Sequence, residues 1–184
     1  KVLNLENITF EFDNTPYFET WSEYGTSATY GTKPETITSY MFAALSGIEK
    51  IILPLDIKTI EKRAFYDCPA RLVVIPNCTE TLEAYAFELS HIESIRINAI
   101  TIKNSCFANC SHLKNIVFDK DVMHINGAFD FHRELESVEL SPDNKNFRII
   151  DGCMVNAKNT HLILYVQHEN TMRLVVPAGV KRIC

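Results

Sequence analysis

The chain has 184 residues, of which 46% are hydrophobic, so it is long enough to bury a substantial core. Its formal net charge is -5 at pH 7 and its basic residues are scattered along the sequence. Both features argue against a protein that binds the phosphate backbone of a nucleic acid, and neither argues against a protein partner. No run approaches the roughly 18–20 apolar residues of a membrane span, and no signal-peptide core is present. Because the chain begins at Lys1 rather than Met, we expect that residues upstream of it, including any export signal, have been removed.

Residues 1–32 form an aromatic-rich N-terminal segment. Ile8, Phe10 and Phe12 alternate with polar residues, which predicts a strand. We interpret the segment as a cap over the first layer of the domain that follows; the alternative is the tail end of a separate upstream domain. The segment's aromatic residues are Phe10, Phe12, Tyr17, Phe18, Trp21, Tyr24 and Tyr30.

A repeat of about 22 residues follows, marked by five phenylalanines. These are Phe42, Phe65, Phe87, Phe107 and Phe129, spaced by 23, 22, 20 and 22 residues. A fixed period in the twenties is typical of one supersecondary unit that is copied and stacked. The fold is therefore predicted to be a solenoid over residues 33–184, with its function on a surface and not in a catalytic pocket.

Each unit combines a small residue and Phe, a short polar turn, and an alternating apolar run. The alternation of Ile51 inward, Ile52 outward and Leu53 inward predicts a half-buried strand three to five residues long. We expect six such strands in one parallel sheet. Their inward residues are Ile51/Leu53, Val73/Ile75, Ile95/Ile97, Ile116/Phe118, Val138/Leu140 and, after an insertion, Val175 or its neighbours.

The segment around each Phe has only about one turn of helical spacing. It therefore predicts a short helix or 3-10 turn on the side opposite the sheet, with the Phe ring packed between layers.

The period breaks between Leu140 and Pro177. The apolar runs 149–155 and 162–166 flank the polar stretch 156–160, which predicts a β-hairpin inserted at about residues 147–170. The repeat resumes at Pro177 and stops inside a unit, so we expect the chain to be a fragment of a longer protein.

These residues resemble a known family. The runs AFYDCPARLVVIP and CFANCSHLKNIVF, with the tail NKNFRIIDGCMVNAKNTHLILY, are similar to leucine-rich repeats of the BspA type (Bacteroides surface protein A-like). The resemblance implies an α/β repeat fold, a right-handed curved solenoid with a parallel sheet on its concave face. It also implies an exported or surface-attached protein of gut or oral bacteria that takes part in adhesion; some relatives occur in parasitic protists. The chain departs from the pattern at 89–90, where Cys is expected, after Asn98, and at 131–132.

The six cysteines are interpreted mainly as buried structural thiols. Cys68 and Cys110 occupy one repeat position, and Cys106 stands where other units have alanine. Whether Cys78, Cys153 and Cys184 form disulfides stays open at this stage.

No metal, cofactor or catalytic site is predicted. Cys106, Cys110 and His112 have ligand types that suit zinc, but only these three are local and the repeat explains both sulfurs. His91 and His112 are expected one layer apart, about 5 Å. The sequence has no phosphate-binding glycine loop, H-E-x-x-H, G-x-S-x-G or C-x-x-C, so the chain is predicted to be non-enzymatic.

The outward strand positions are the candidate partner-binding site, because the sheet of a solenoid is an extended and rigid surface. We call these ten residues the binding strip. One row is Ile52, Val74, Arg96, Val117 and Glu139, and the flanking row is Lys50, Leu72, Ser94, Asn115 and Ser137. Apolar groups beside single charges are typical of a protein-binding patch, although β-branched residues also occur in strands for propensity alone. The hairpin tip at 156–160 is the other place where contacts could lie.

Three functions follow from this interpretation. The first is a protein-interaction or adhesion module of an exported or cell-surface bacterial protein, with a host or bacterial surface protein as partner. The second is a carbohydrate-binding or accessory module of a glycan-processing system, for which Tyr17, Trp21 and Tyr24 would supply the aromatic platforms. The third is a structural spacer between other domains.

Overall fold

The computed structural model describes residues 1–21, 27–129, 135–166 and 174–183, with the backbone alone at 14–21 and 27–29. The strands in these ranges are, in chain order, β1 (Val2–Asn4), β2 (Asp13–Trp21), β3 (Ser27–Thr32), β4 (Thr36–Ile37), β5 (Lys50–Ile52), β6 (Thr59–Ile60), β7 (Leu72–Val74), β8 (Thr81–Leu82), β9 (Ser94–Ile97), β10 (Thr101–Ile102), β11 (Asn115–Phe118), β12 (His124–Ile125), β13 (Ser137–Leu140), β14 (Phe147–Ile150), β15 (Cys153–Asn156), β16 (His161–Tyr165) and β17 (Arg182–Ile183).

A six-stranded parallel sheet forms one side of a β-solenoid. Its strand order is β1-β5-β7-β9-β11-β13, so each repeat adds one strand beside the strand of the previous repeat. The five strands predicted between Ile51 and Leu140 are confirmed. The inward residues of β5, β7, β9 and β11, such as Ile51, Ile95 and Ile116, are fully or almost fully buried, whereas Val138 and Leu140 in β13 are partly buried.

The sixth strand of the sheet lies at its N-terminal end, beside β5, and not at the C-terminal end where it was predicted. β1 pairs with β5 and takes that place, whereas 174–177 form no strand. The chain after the insertion instead continues to β17, which pairs parallel with β16. The strand predicted around Val175 is therefore not formed.

A second parallel sheet, ordered β12-β10-β8-β6-β4, runs along another side of the solenoid. Each strand has two residues, of which the second is an aliphatic residue buried in the core, such as Ile60 or Leu82. Two residues are too few for an alternating pattern, so the sequence did not predict this sheet.

The segments that carry Phe42, Phe65, Phe87 and Phe107 are turns, and no helix occurs within the described ranges. The amide of Phe65 donates to the carbonyl of Ala86 in the next layer, and Phe87 donates to Cys106 in the same way. These amides are therefore unavailable for the i to i-4 bonds of a helix. Isolated i to i-3 bonds, such as those from Tyr66 to Arg63 and from Cys68 to Phe65, alternate with the cross-layer bonds, so single turns stand in place of the predicted short helix.

Left-handed backbone conformations on both sides of Phe42, Phe65, Phe87 and Phe107 also exclude a helix. Arg63 and Asp67 flank Phe65 with φ of 61° and 49°, and Tyr85 and Leu89 flank Phe87 with φ of 61° and 60°. A right-handed helix cannot continue through residues in this region.

The phenylalanine rings form a continuous stack through the core. Successive ring centroids from Phe42 to Phe129 are 5.0, 4.7, 5.1 and 5.0 Å apart, with interplanar angles of 20°, 2°, 15° and 3°. This spacing matches the distance between neighbouring strands, so one ring is packed in each layer. The predicted position of the Phe side chains between layers is confirmed.

The N-terminal segment differs from the prediction. No strand forms at Ile8–Phe12, and Ile8 and Phe12 are exposed. These residues lie in an irregular segment between β1 and the antiparallel pair β2–β3, from which Phe10 packs against the core. Although β1 lies within the predicted cap 1–32, it belongs to the sheet of the solenoid; the boundaries 1–32 and 33–184 stay a prediction.

An antiparallel sheet follows the last solenoid layer. β14 pairs with β15, and β15 pairs with β16 across the turn at 156–160. The run 149–155 was predicted as one strand, but Asp151 and Gly152 both have positive φ and divide it into β14 and β15. Asn156 closes the 156–160 turn, because its Oδ1 accepts hydrogen bonds from the amides of Thr160 and His161 at 2.8 and 3.0 Å.

Candidate functional site

The outward face of the six-stranded sheet brings the ten residues of the binding strip into two rows. Lys50, Leu72, Ser94, Asn115 and Ser137 lie opposite one another in register across five strands. In the other row, Ile52 lies opposite Val74, and Arg96, Val117 and Glu139 follow in register. The strip is therefore a contiguous surface, and its binding role stays a prediction.

Two further residues extend the strip at its N-terminal end. Val2 lies opposite Lys50 and Asn4 opposite Ile52, both in β1. Sequence reasoning missed them because residues 1–32 lack the repeated motif, in which a Phe and a polar turn precede each strand.

The strip has an apolar half and a polar half. The strands β1, β5 and β7 present mainly apolar groups, Val2, Ile52, Leu72 and Val74, together with Asn4 and Lys50, and Val74 is exposed. The strands β9, β11 and β13 present mainly polar groups, which are Ser94, Arg96, Asn115, Ser137 and Glu139. A partner would therefore meet an apolar patch at one end and hydrogen-bonding groups at the other.

The polar half is held in a fixed geometry by hydrogen bonds within it. Arg96 donates from Nε and Nη2 to the two carboxylate oxygens of Asp119, both at 2.9 Å. This bidentate contact raises the pKa of Arg96. Ser137 Oγ donates to Asn115 Oδ1 at 2.8 Å. Side chains that are already ordered lose less entropy when a partner binds.

Charges of alternating sign border the strip where its strands begin. The charged residues of successive layers are, in order, Glu49, Arg71, Glu93, Lys114 and Glu136. From Arg71 onward, the backbone amide of each one donates a hydrogen bond to the backbone carbonyl of its counterpart in the previous layer. Ion pairs join Arg71 to Glu93 at 3.3 Å and Lys114 to Glu136 at 2.8 Å. These exposed pairs contribute little to stability, but they keep this border near neutral.

A cavity of about 220 Å³ lies at the C-terminal end of the strip, between β13 and the antiparallel sheet. It is lined by Glu136, Ser137, Val138, Ile149, Gly152, Met154 and Val166. The lining is mostly apolar and holds no acid–base pair that could support catalysis.

The histidine pair predicted one layer apart is confirmed, because the rings of His91 and His112 have centroids 5.1 Å apart. Both are exposed, and His91 Nε2 is 3.8 Å from Asp67 Oδ1. Within the described ranges no group of three or more His, Cys, Asp or Glu is arranged to hold a metal ion. The same residues include no helix long and apolar enough to cross a membrane.

The cysteines of the repeat lie in the core. Cys110 Sγ donates to the carbonyl of Phe87 at 2.9 Å and lies 3.4 Å from Ser90 Oγ. In its own repeat unit, Ser90 holds the position that Cys68 and Cys110 hold in theirs. Complete burial raises the pKa of Cys106 well above its usual value. Cys68, Cys78, Cys106 and Cys153 are free thiols, and Cys184 lies outside the described residues.

Burial of Cys68 predicts a loss of stability at alkaline pH. Burial raises the pKa of its thiol from 9.0 to about 11. The unfolded chain therefore ionises first, and the folded state loses stability as the pH rises from about 9 to about 11, by up to about 2–3 kcal/mol. Urea unfolding of wild type and Cys68→Ala between pH 8 and 11 measures this effect. The gap in unfolding free energy should shrink as the pH rises, and a constant gap would contradict the prediction.

The three aromatic side chains that were predicted to bind carbohydrate lie outside the part of the chain whose side chains the structure describes. The side chains of Tyr17 and Trp21 lie outside the described part of the chain, as does all of Tyr24. Their grouping therefore stays a prediction.

A structure search gives a solved relative of the fold. The crystal structure of the pneumococcal vaccine antigen PcpA matches with a TM-score of 0.61 and 20% sequence identity. The match covers 85% of this chain and 49% of the antigen, so the chain spans about half of that protein's length. No curated protein matches the chain significantly in sequence.

A family model supplies the sequence relationship. The BspA-type leucine-rich repeat region matches in six copies over residues 35–157, which is more than half of the chain. The matched range contains β5–β13 and β14–β15, and with them the whole binding strip. The resemblance inferred from the repeat motifs is thus confirmed, and the chain belongs to the BspA-type leucine-rich repeat family.

Proposed function

We propose that the chain is a non-enzymatic protein-interaction or adhesion module of an exported, cell-surface bacterial protein. It binds a host or bacterial surface protein through the outward face of the six-stranded sheet, on the concave side of the solenoid. The observation that carries the proposal is the binding strip itself: ten side chains in two registered rows, mainly apolar at one end and mainly polar at the other.

The physical properties of this face support binding of a protein. Its backbone is fixed by parallel strands on a stacked core, and Arg96 and Asn115 are held by neighbours. Exposed apolar side chains, among them Val74, provide apolar surface area, and its burial by a partner stabilises a complex. The polar half supplies hydrogen bonds, which are directional. Membership of the BspA-type family and the likeness to a pneumococcal antigen's fold support an exported setting.

The experiment is capture from extracts of bacterial and host-cell surface proteins, followed by affinity measurement with the purified partner. Val74→Asp and Arg96→Glu are the test variants, since each places an unfavourable charge in the strip without touching the core. Met123→Asp is the control, because Met123 is also exposed but lies beside the small strand β12. Each strip variant should weaken binding at least about tenfold, and the control should not.

Equal binding by all variants would overturn the proposal for this face. A glycan array run with the same variants tests the carbohydrate alternative, since retained glycan binding without protein capture would favour it. Circular dichroism of every variant confirms that the fold is kept.

A further inference from the structure

The turn between β12 and Phe129 is one residue shorter than the same turn in the four earlier layers. In each of those layers five positions separate the buried aliphatic residue of the second sheet from the phenylalanine, whereas four separate Ile125 from Phe129. Asn126 and Gly127 alone therefore span what residues 103–105 span one layer earlier.

The chemistry of an Asn-Gly pair makes this turn a candidate for modification. The backbone nitrogen of the residue after an asparagine can attack the side-chain amide carbon, and glycine, which has no Cβ, hinders this attack least. Asn126 and Gly127 are both exposed, and Gly127 has a φ of 55°. A Cβ built on Gly127 would meet no described atom within 4 Å, so the space around the glycine is open.

Hydrogen bonding leaves the two reacting groups of this pair available. In the described part of the chain, the amide of Gly127 donates no hydrogen bond and the Asn126 side chain makes none. One layer earlier, the amide of Ser105 donates to the carbonyl of Gly127 at 2.7 Å. The nitrogen that follows Asn104 is therefore held by the next layer, whereas the nitrogen that follows Asn126 is not.

We propose that Asn126 is a site of spontaneous deamidation. The backbone nitrogen of Gly127 attacks Cγ of Asn126, and the new C–N bond closes a five-membered succinimide ring. The side-chain nitrogen takes the proton of the glycine amide and leaves as ammonia. Water then opens the ring at one of its two carbonyl carbons and gives aspartate or isoaspartate. This inference does not depend on whether the binding strip binds a partner.

The two products differ in what they change at this turn. Cross-layer hydrogen bonds place Asn126 in the row of Lys103 and Glu83, which form an ion pair at 2.7 Å. Either product adds a carboxylate beside this pair. Isoaspartate also lengthens the main chain by one carbon, in the turn whose Gly127 carbonyl accepts from Ser105. Only isoaspartate is therefore expected to loosen the bond between the two layers.

Peptide mapping by mass spectrometry measures the reaction, because deamidation raises the mass of a peptide by about 1 Da. In the folded protein the reaction at Asn126 should be at least about tenfold faster at pH 9 than at pH 7, since the attacking nitrogen must lose its proton. Unfolding in guanidinium should speed deamidation at Asn104 by about tenfold or more and have a much smaller effect at Asn126, because only Ser105 loses a hydrogen bond. No reaction at Asn126 in the folded protein, or equal protection of both asparagines by folding, would overturn the proposal.

Two variants at the same position test the consequence for the turn. Asn126→Gln is the matched control, because its longer side chain would have to close a six-membered ring and does so far more slowly. Asn126→Asp carries the charge of the product on an unaltered main chain. After incubation at pH 9, amide exchange at Ser105 should be about tenfold or more faster in the isoaspartyl fraction of the wild type and unchanged in both variants. Equal exchange at Ser105 in all three proteins would overturn the predicted loosening of the turn.

Discussion

Replacement of Phe87 by alanine is expected to lower the free energy of unfolding by about 3–5 kcal/mol. Its ring is fully buried and is stacked between Phe65 at 4.7 Å and Phe107 at 5.1 Å. The substitution removes contacts on both faces of the ring and leaves a cavity in the middle of the stack, where neither neighbouring layer can move inward without breaking its strand pairing. Urea unfolding followed by circular dichroism measures the change.

The matched control is Phe12→Ala, which removes the same side chain from an exposed position. It should change the free energy of unfolding by less than about 0.5 kcal/mol. A loss below about 1 kcal/mol for Phe87→Ala would contradict a core built on stacked layers.

Replacement of Asn144 by alanine is expected to cost about 2–4 kcal/mol, because it leaves several buried backbone groups without partners. Asn144 Nδ2 donates to the carbonyls of Asp119 and Val122 at 2.8 and 3.1 Å. Its Oδ1 accepts from the amides of Asn146 and Phe147 at 2.9 and 3.2 Å. One side chain thus joins the last solenoid turn to the start of the antiparallel sheet.

Lys145→Ala is the control for this prediction, since the neighbouring side chain is exposed. Amide exchange at Phe147 gives a local readout: it should be faster in Asn144→Ala and unchanged in Lys145→Ala. Equal stability of the two variants would show that water replaces the asparagine without cost, contrary to the prediction.

The repeating parts of the fold were predictable because each rests on a pattern that the sequence repeats. The Phe period gave the number of layers, and the alternation of Ile51, Ile52 and Leu53 placed inward and outward residues correctly across β5 to β13. The position of Cys106 among alanines correctly indicated a buried thiol.

The unpredicted parts depend on hydrogen bonds between layers. The amides of Phe65 and Phe87 could have continued a helix, and only the carbonyls of Ala86 and Cys106 in the next layer show that they do not. The short run of β1 carries no repeat signal, although it completes the sheet at its N-terminal edge. At Val175 the local pattern favoured a strand, but a pattern cannot show which neighbour is available to pair with it.

The same distinction applies to the binding strip. Alternation predicted which side chains face outward, and register then showed that they form two continuous rows. The bidentate contact of Arg96 with Asp119 was not predictable, because the two residues lie in different layers. The sequence thus identified the surface, whereas its pre-ordered polar half emerged from the structure.

Site-specific photocross-linking to the captured partner tests the central claim most directly. A photoreactive residue is placed at Val74 or Val117 in the strip, at Met123 beside β12, or at Lys158 in the hairpin tip. Cross-links from Val74 and Val117, with none from Met123 or Lys158, are the predicted result. Cross-links confined to Met123 or Lys158 would contradict binding through the outward face of the six-stranded sheet.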